Sequence, residues 1–132
     1  MEIKDIYNYF LQTTGIATDN RKINLNNMFV ALKGDNFNGN KFALSALESG
    51  AKFAIIDEAE YKIDDRFILV EDSLIALQQL ANYHRNQLNI TIIGLTGSNG
   101  KTTTKELIYA VLSQKFNTKA TIGNLNNHIG VP

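Results

Sequence analysis

The sequence predicts an α/β fold with largely parallel strands, in two parts. These are a small α/β domain over residues 1–85 and the beginning of a phosphate-loop, parallel-sheet domain over residues 86–132. Three observations carry that expectation. Short apolar runs alternate with stretches of helical periodicity along the chain. A glycine-rich turn, Thr96-Gly97-Ser98-Asn99-Gly100-Lys101-Thr102, follows one apolar run and opens one helical pattern. The part after residue 86 offers only one strand, one helix, a further strand and a loop, fewer elements than such a sheet needs. The chain is therefore expected to be the N-terminal fragment of a longer protein, with a natural short protein as the alternative.

Taken in order, Ile3, Ile6, Tyr7, Phe10 and Leu11 recur at helical spacing, so residues 2–12 are predicted helical, with Gly15 as a stop. Thr18-Asp19-Asn20-Arg21 has turn chemistry. Met28 to Leu32 reads as a strand, and Lys33 to Asn40 as a loop. Phe42, Ala43, Ala46 and Leu47 mark a second helix closed by Gly50. The runs Lys52–Asp57 and Phe67–Val70 have the continuous apolar character of strands buried on both faces. Asp72 or Ser73 can cap a third helix that turns Leu74, Leu77, Leu80, Ala81 and Leu88 inward. A domain boundary is expected near residues 84–90. Ile90 to Leu95 then reads as a buried strand, and Leu107, Ile108, Val111 and Leu112 share one face of the helix that follows. Lys119 to Ile122 reads as another strand, before the polar, glycine-rich run Gly123–Pro132.

A hydrophobic fraction of 44% is ample for a core. Thirteen basic residues balance thirteen acidic ones, so no global field draws in nucleic acid or membrane. No cysteine is present, which leaves neither disulfides nor thiolate metal sites. The opening residues lack the pattern of a signal peptide, and no apolar run is long enough to span a bilayer. The expectation is a soluble, cytoplasmic monomer that binds neither nucleic acid nor membrane.

The glycine-rich turn carries the chemistry. Backbone N–H groups can close on an anion where glycine permits the geometry, a lysine can reach the outer phosphates, and a following threonine hydroxyl can hold Mg²⁺. Gly97, Ser98, Asn99, Gly100, Lys101, Thr102 and Thr103 are accordingly the candidate ATP-binding residues, with Thr102 the Mg²⁺ ligand and Lys101 the catalytic cation. Thr103 has a competing role as a helix-start threonine. The strict spacing G-x-x-x-x-G-K-[ST] would place glycine at position 95, where Leu95 stands; glycines occupy 94 and 97 instead, so the loop is a variant. The bland alternative is a glycine-rich strand-to-helix turn with a surface lysine.

The loop Thr96–Thr103 resembles the ATP loop of the Mur ligase family, and the closing run Thr121-Ile122-Gly123-Asn124-Leu125-Asn126-Asn127-His128-Ile129-Gly130-Val131-Pro132 resembles that family's muramoyl-peptide-facing segment. Upstream, Asp19-Asn20-Arg21 is similar to the Asp-Ser-Arg element of the N-terminal domain. Met28–Gly34, Asn38–Phe42 and Gly50-Ala51 follow in the family's order. Asn20 stands where serine is usual and Asn38 where aspartate is frequent; both side chains still hydrogen-bond.

The resemblance implies an ATP-dependent amide ligase of peptidoglycan precursor synthesis. Its substrates would be UDP-MurNAc-tripeptide and D-alanyl-D-alanine, joined through an acyl phosphate. Residues 1–85 would bind the UDP-bearing substrate. The family's Mg²⁺-holding glutamate, modified lysine and histidine have no counterpart before Pro132, so these residues alone are expected not to catalyse ligation. Arg21 and Lys33 become candidates for the diphosphate end of the substrate, against the plain reading of two solvated charges. Asn126 and Asn127 become candidates for substrate contacts, against the plain reading of turn formers, with Asn124, Asn36 and Asn38 weaker. His84 falls on the apolar stripe of the third helix and reads as a packing residue; His128 receives no role. Two other readings stay open: a sister ligase of the folylpolyglutamate or earlier muramoyl-peptide type, and a nucleotide-binding module without ligase activity.

Overall fold

The computed structural model describes residues 1–123, Asn127 and Ile129. Its contacts divide the chain into two compact units, the first Met1–Leu88 and the second beginning at Asn89.

The first unit is a four-stranded sheet between helices. Helix α1 (Ile3–Phe10) leads into β1 (Ile16–Ala17), β2 (Met28–Val30), a hairpin of β3 (Lys33–Gly34) and β4 (Phe37–Asn38), then α2 (Ala43–Glu48), β5 (Phe53–Ile56), β6 (Phe67–Leu69) and α3 (Ser73–Gln87). The main sheet has the order β1-β2-β5-β6, and each adjacent pair is parallel. Alternation along the strands builds two cores. Met28, Val30, Phe53, Ile55 and Ile68 face one side, where Ile6 of α1 and Ala76, Leu77 and Leu80 of α3 cover them. Phe29, Ala54, Ile56 and Phe67 face the other, where Ala43, Ala46 and Leu47 of α2 pack. Every residue of β2 and β5 is buried, as the continuous apolar runs predict.

Only the β2–β5 crossover among these strands carries an α-helix. The β1–β2 and β5–β6 connections carry 3-10 turns at Asn20–Lys22 and Ala59–Tyr61 instead. Strand β1 escapes the pattern of the sequence because two residues are too few to show a period. The segment read as a loop, 33–40, contains a tight hairpin, and Gly39 beyond it is forced by close approach: a Cβ there would stand 2.5 Å from the Leu32 carbonyl oxygen. Asp72 caps α3 by accepting from the Ile75 N–H at 2.8 Å. That helix ends at Gln87, which leaves Leu88 exposed rather than inward.

The second unit corrects three expectations. Residues 90–95 form no strand, and Ile90, Ile92, Ile93 and Leu95 are exposed. Residues 119–122 form none either, with Ile122 exposed. An apolar run becomes a strand only when another strand completes its ladder, and among the described residues of this unit neither run has one. Helix α4 (Lys101–Leu112) forms as predicted, but Leu107 and Val111 of its apolar face are exposed, and Ile108 and Leu112 only half-buried. Among the described residues of this unit no sheet lies against that face. No described helix is long and apolar enough to cross a membrane.

Candidate functional site

The start of α4 is built by two glycines. Gly97 has φ +147° and Gly100, the residue that caps the helix, has φ +76°. Only glycine adopts such angles without strain, and neither position is crowded. Among the described residues, none of the N–H groups from Gly97 to Thr103 donates to a backbone carbonyl; the first that does is Thr104, to Gly100 at 2.9 Å. A helix start with unpaired donors and the positive end of the helix dipole favours an anion. The Lys101 ammonium folds back and donates to the Gly97 carbonyl, which closes the turn on itself. Ser98, Asn99, Thr102 and Thr103 are exposed around it. The residues thus fit a polyphosphate: free donors, a cation beside them, and the Thr102 hydroxyl as a hard oxygen ligand for a divalent ion.

One turn further on, Lys105 is only 15% exposed. Its Nζ donates to the carbonyls of Thr121 at 2.6 Å and Gly123 at 3.1 Å, and pairs with Glu106 at 3.0 Å. Sequence reading missed this residue. The signal was its spacing: four positions after Lys101, it lies on the same helix face.

In the first unit, polar groups gather where the parallel strands end, the edge at which such sheets bind ligands. Asp57 follows β5 directly. Its carboxylate, 4% exposed, accepts from Asn40 Nδ2 at 2.8 Å and the Ser73 N–H at 3.2 Å, and pairs with Lys33 at 3.1 Å. Burial pushes its pKa up, but the hydrogen bonds from Asn40 and Ser73 and the Lys33 ammonium outweigh that and hold it below the usual carboxylate value. Asn38 Nδ2 donates to both oxygens of Glu58, which also lies 3.6 Å from Lys33. Lys33 is thus tied to two carboxylates while remaining half exposed, and its pKa is raised, first by the Asp57 hydrogen bond. Ser73 Oγ is buried without a hydrogen-bond partner among the described residues.

Asp19 ends the loop after β1 and grips Arg21 twice, from Nε and Nη2 at 2.9 Å each, while accepting the Arg21 N–H at 3.0 Å. The guanidinium hydrogen bonds hold the Asp19 carboxyl at about 2. The Arg21 side chain remains 82% exposed, so its outer face is open to solvent. An open depression of about 420 Å³ is lined by residues 14–19, Lys22, Asn24 and Asn27, so that Asp19, though not Arg21, borders it. Arg21 and Lys33 therefore follow neighbouring strands of one sheet, each already committed to carboxylates.

Asn127 accepts the Ile129 N–H at 3.1 Å, a turn-forming contact. Asn126, Asn124 and His128 lie outside the described residues. His84 packs as expected, its Nδ1 3.3 Å from the Tyr7 hydroxyl and its ring edge-on to Phe10.

Comparison with known proteins then decides the relationship. The family model described as "Mur ligase family, catalytic domain" matches residues 12–85. This chain belongs to the Mur ligase family. The "Mur ligase middle domain" model matches residues 95–132, which include the glycine turn and α4. The UDP-N-acetylmuramoyl-tripeptide–D-alanyl-D-alanine ligase of Bacillus subtilis is 45% identical over 120 residues, covering 89% of this chain and 26% of the relative. Among solved structures, MurF from Acinetobacter baumannii superposes with a TM-score of 0.81 at 34% identity, covering 98% of this chain and 31% of that one. MurF from Thermotoga maritima, solved with ADP, gives a TM-score of 0.79 at 36% identity over 92% of this chain and 28% of that one. This Mur ligase chain therefore spans between a quarter and a third of the length of the relatives it matches. Its mixed α/β architecture with a parallel sheet is theirs.

Proposed function

We propose that this chain supplies the nucleotide-gripping front of a cytoplasmic, ATP-dependent amide ligase that joins D-alanyl-D-alanine to UDP-MurNAc-tripeptide. In this reading residues 1–85 take the UDP end of the muramoyl substrate, and residues 86–132 begin the ATP-binding domain. The observation that carries the reading is the glycine turn: Gly97 and Gly100 at positive φ, a row of free N–H groups, and a lysine at the first helical position. The kinship with MurF enzymes from several bacteria supports these substrates.

The chemistry asked of these residues is charge management. ATP transfers its γ-phosphoryl group to the terminal carboxylate of the tripeptide, and the dipeptide amine displaces phosphate from the acyl phosphate. Negative charge spreads over the phosphoryl oxygens as it moves, and fixed positive groups lower that barrier. The N–H groups of Gly97 to Lys101 hold the β-phosphate at the helix start, and the Lys101 ammonium leaves the Gly97 carbonyl to meet the outer phosphate oxygens. Thr102 would hold Mg²⁺, whose charge would neutralise the phosphates. Arg21 and Lys33 meet the diphosphate of the muramoyl substrate; Arg21 offers its exposed face, while its Asp19 contacts fix the orientation of the guanidinium. Asn126 and Asn127 contact the peptide portion.

The test is ligation by the product of the complete reading frame. Incubation with Mg-ATP, UDP-MurNAc-tripeptide and D-alanyl-D-alanine is expected to release ADP and phosphate in equal amounts with one amide bond formed. ATP turnover without amide formation on any of folate, earlier muramoyl peptides or this tripeptide would favour the nucleotide-binding module instead.

A further inference from the structure

The ligase reading leaves Lys105 unexplained, although it is better shielded than its neighbour Glu106, which is 62% exposed. A lysine on an exposed helix face ordinarily extends into water. Here the ammonium turns onto the backbone, taking the carbonyls of Thr121 and Gly123 at 2.6 and 3.1 Å. Two carbonyls two residues apart can converge on one cation only if the chain curls around it. Gly123 has φ +69°, and a Cβ there would meet nothing within 4 Å, so glycine serves the backbone angle rather than space. Lysine and glycine together fix the backbone from Thr121 to Gly123.

Lys105 stands one helical turn after Lys101, on the same face of α4. The first lysine donates to the Gly97 carbonyl within the glycine turn, and the second holds the carbonyls of Thr121 and Gly123. We propose that Lys105 is a positioning residue: it clamps residues 121–123 to α4, and so restrains the backbone that leads by chain connection into the asparagine-rich run, which the ligase reading assigns to the muramoyl-peptide substrate. It touches neither ATP nor substrate. The clamp rests on the ligase reading for its purpose, but not for its existence. Misplacing a substrate contact by about an ångström can cost a hundredfold in rate, and an ammonium holding two carbonyls is a strong restraint of low reach.

The experiment compares wild type, Lys105→Met and Lys105→Arg in the complete reading frame. Lys105→Met is expected to raise KM for UDP-MurNAc-tripeptide about tenfold or more while KM for ATP moves less than about twofold. Lys105→Arg, which can still donate to two carbonyls, is expected to recover most of that loss. A larger rise in KM for ATP than for the muramoyl substrate would make Lys105 a phosphate ligand and overturn the proposal. So would a muramoyl KM unchanged in Lys105→Met. Hydrogen exchange reads the clamp without turnover: the amides of residues 121–123 are expected to exchange faster in Lys105→Met than in wild type, and equal rates would overturn it. Absence of ligation in the wild type alone would defeat the ligase reading and leave the exchange comparison to decide the clamp.

Discussion

Asn40 and Asp57 hold each other through two hydrogen bonds: Asn40 Nδ2 donates to Asp57 Oδ1 at 2.8 Å, and the Asp57 N–H donates to Asn40 Oδ1 at 3.0 Å. The pair ties the turn before α2 to the end of β5, and with it the edge of the sheet where Lys33 and Ser73 converge. Asn40 is 1% exposed, so water cannot replace its contacts. Asn40→Ala would leave the Asp57 N–H without its acceptor and the carboxylate short of one donor. The expected cost is about 2–3 kcal/mol, since buried groups stripped of partners lose their full desolvation energy. Urea denaturation followed by circular dichroism measures it, and Asn40→Asp should not rescue it, because a second carboxylate would face Asp57.

Lys33 bears on the pH dependence of the same cluster. The Asp57 pKa is lowered on folding, so its contribution to stability is complete above the ordinary carboxylate value of 3.8 and disappears as pH falls through the lower folded value. Lys33→Met removes one of the groups that lower it. Acid unfolding should then begin at higher pH than in wild type, and the stability difference between the two proteins should be full at neutral pH, where Asp57 is ionised, and shrink as pH falls through its folded value. A carboxyl carbon NMR titration of Asp57 in both proteins checks the direction: the midpoint moves up in the variant.

The Asp19–Arg21 pair predicts separable effects. In Arg21→Ala the Asp19 carboxyl should titrate above about 2 but remain below 3.8, because the residue-21 N–H still donates to it. At neutral pH both groups are charged in wild type, so the guanidinium keeps its orientation across the physiological range. With the complete reading frame, Arg21→Ala should raise KM for the UDP substrate and spare KM for ATP. Equal loss for both ligands would indicate a folding defect and remove Arg21 from the substrate site.

Gly100→Ala tests the phosphate turn through its backbone. A Cβ at φ +76° costs about 1 kcal/mol or more, while the space around the position is open. The variant should fold with a small loss of stability and lose affinity for Mg-ATP, as measured by equilibrium dialysis. Full affinity would mean that the αL geometry at this position does not hold the phosphates.

Legibility in the sequence followed the physics of each element. Phe53–Ile56 and Phe67–Leu69 were readable as buried strands because both faces of a covered parallel sheet demand apolar residues. The glycine turn and α4 were readable because glycines that take positive φ stand directly before a run of helical period. Ile90–Leu95 had the composition of a strand and did not form one, because pairing is a property of two segments and composition of one. The Asn40–Asp57 bonds and the Lys105 clamp join residues 17, 16 and 18 positions apart, through side chains whose types are ordinary at their positions. The spacing of Lys105 from Lys101 gives its helix face, but nothing local gives the partners of these side chains; the fold brings them together.

Loss of the Lys101 ammonium tests the central claim most directly. Lys101→Ala in the complete reading frame should keep the thermal transition of the wild type and lose at least about a thousandfold in kcat for ligation, because a preorganised charge acting on the phosphoryl group is removed. A variant that unfolds at the wild-type temperature and turns over at the wild-type kcat would contradict the assignment of this turn to the polyphosphate.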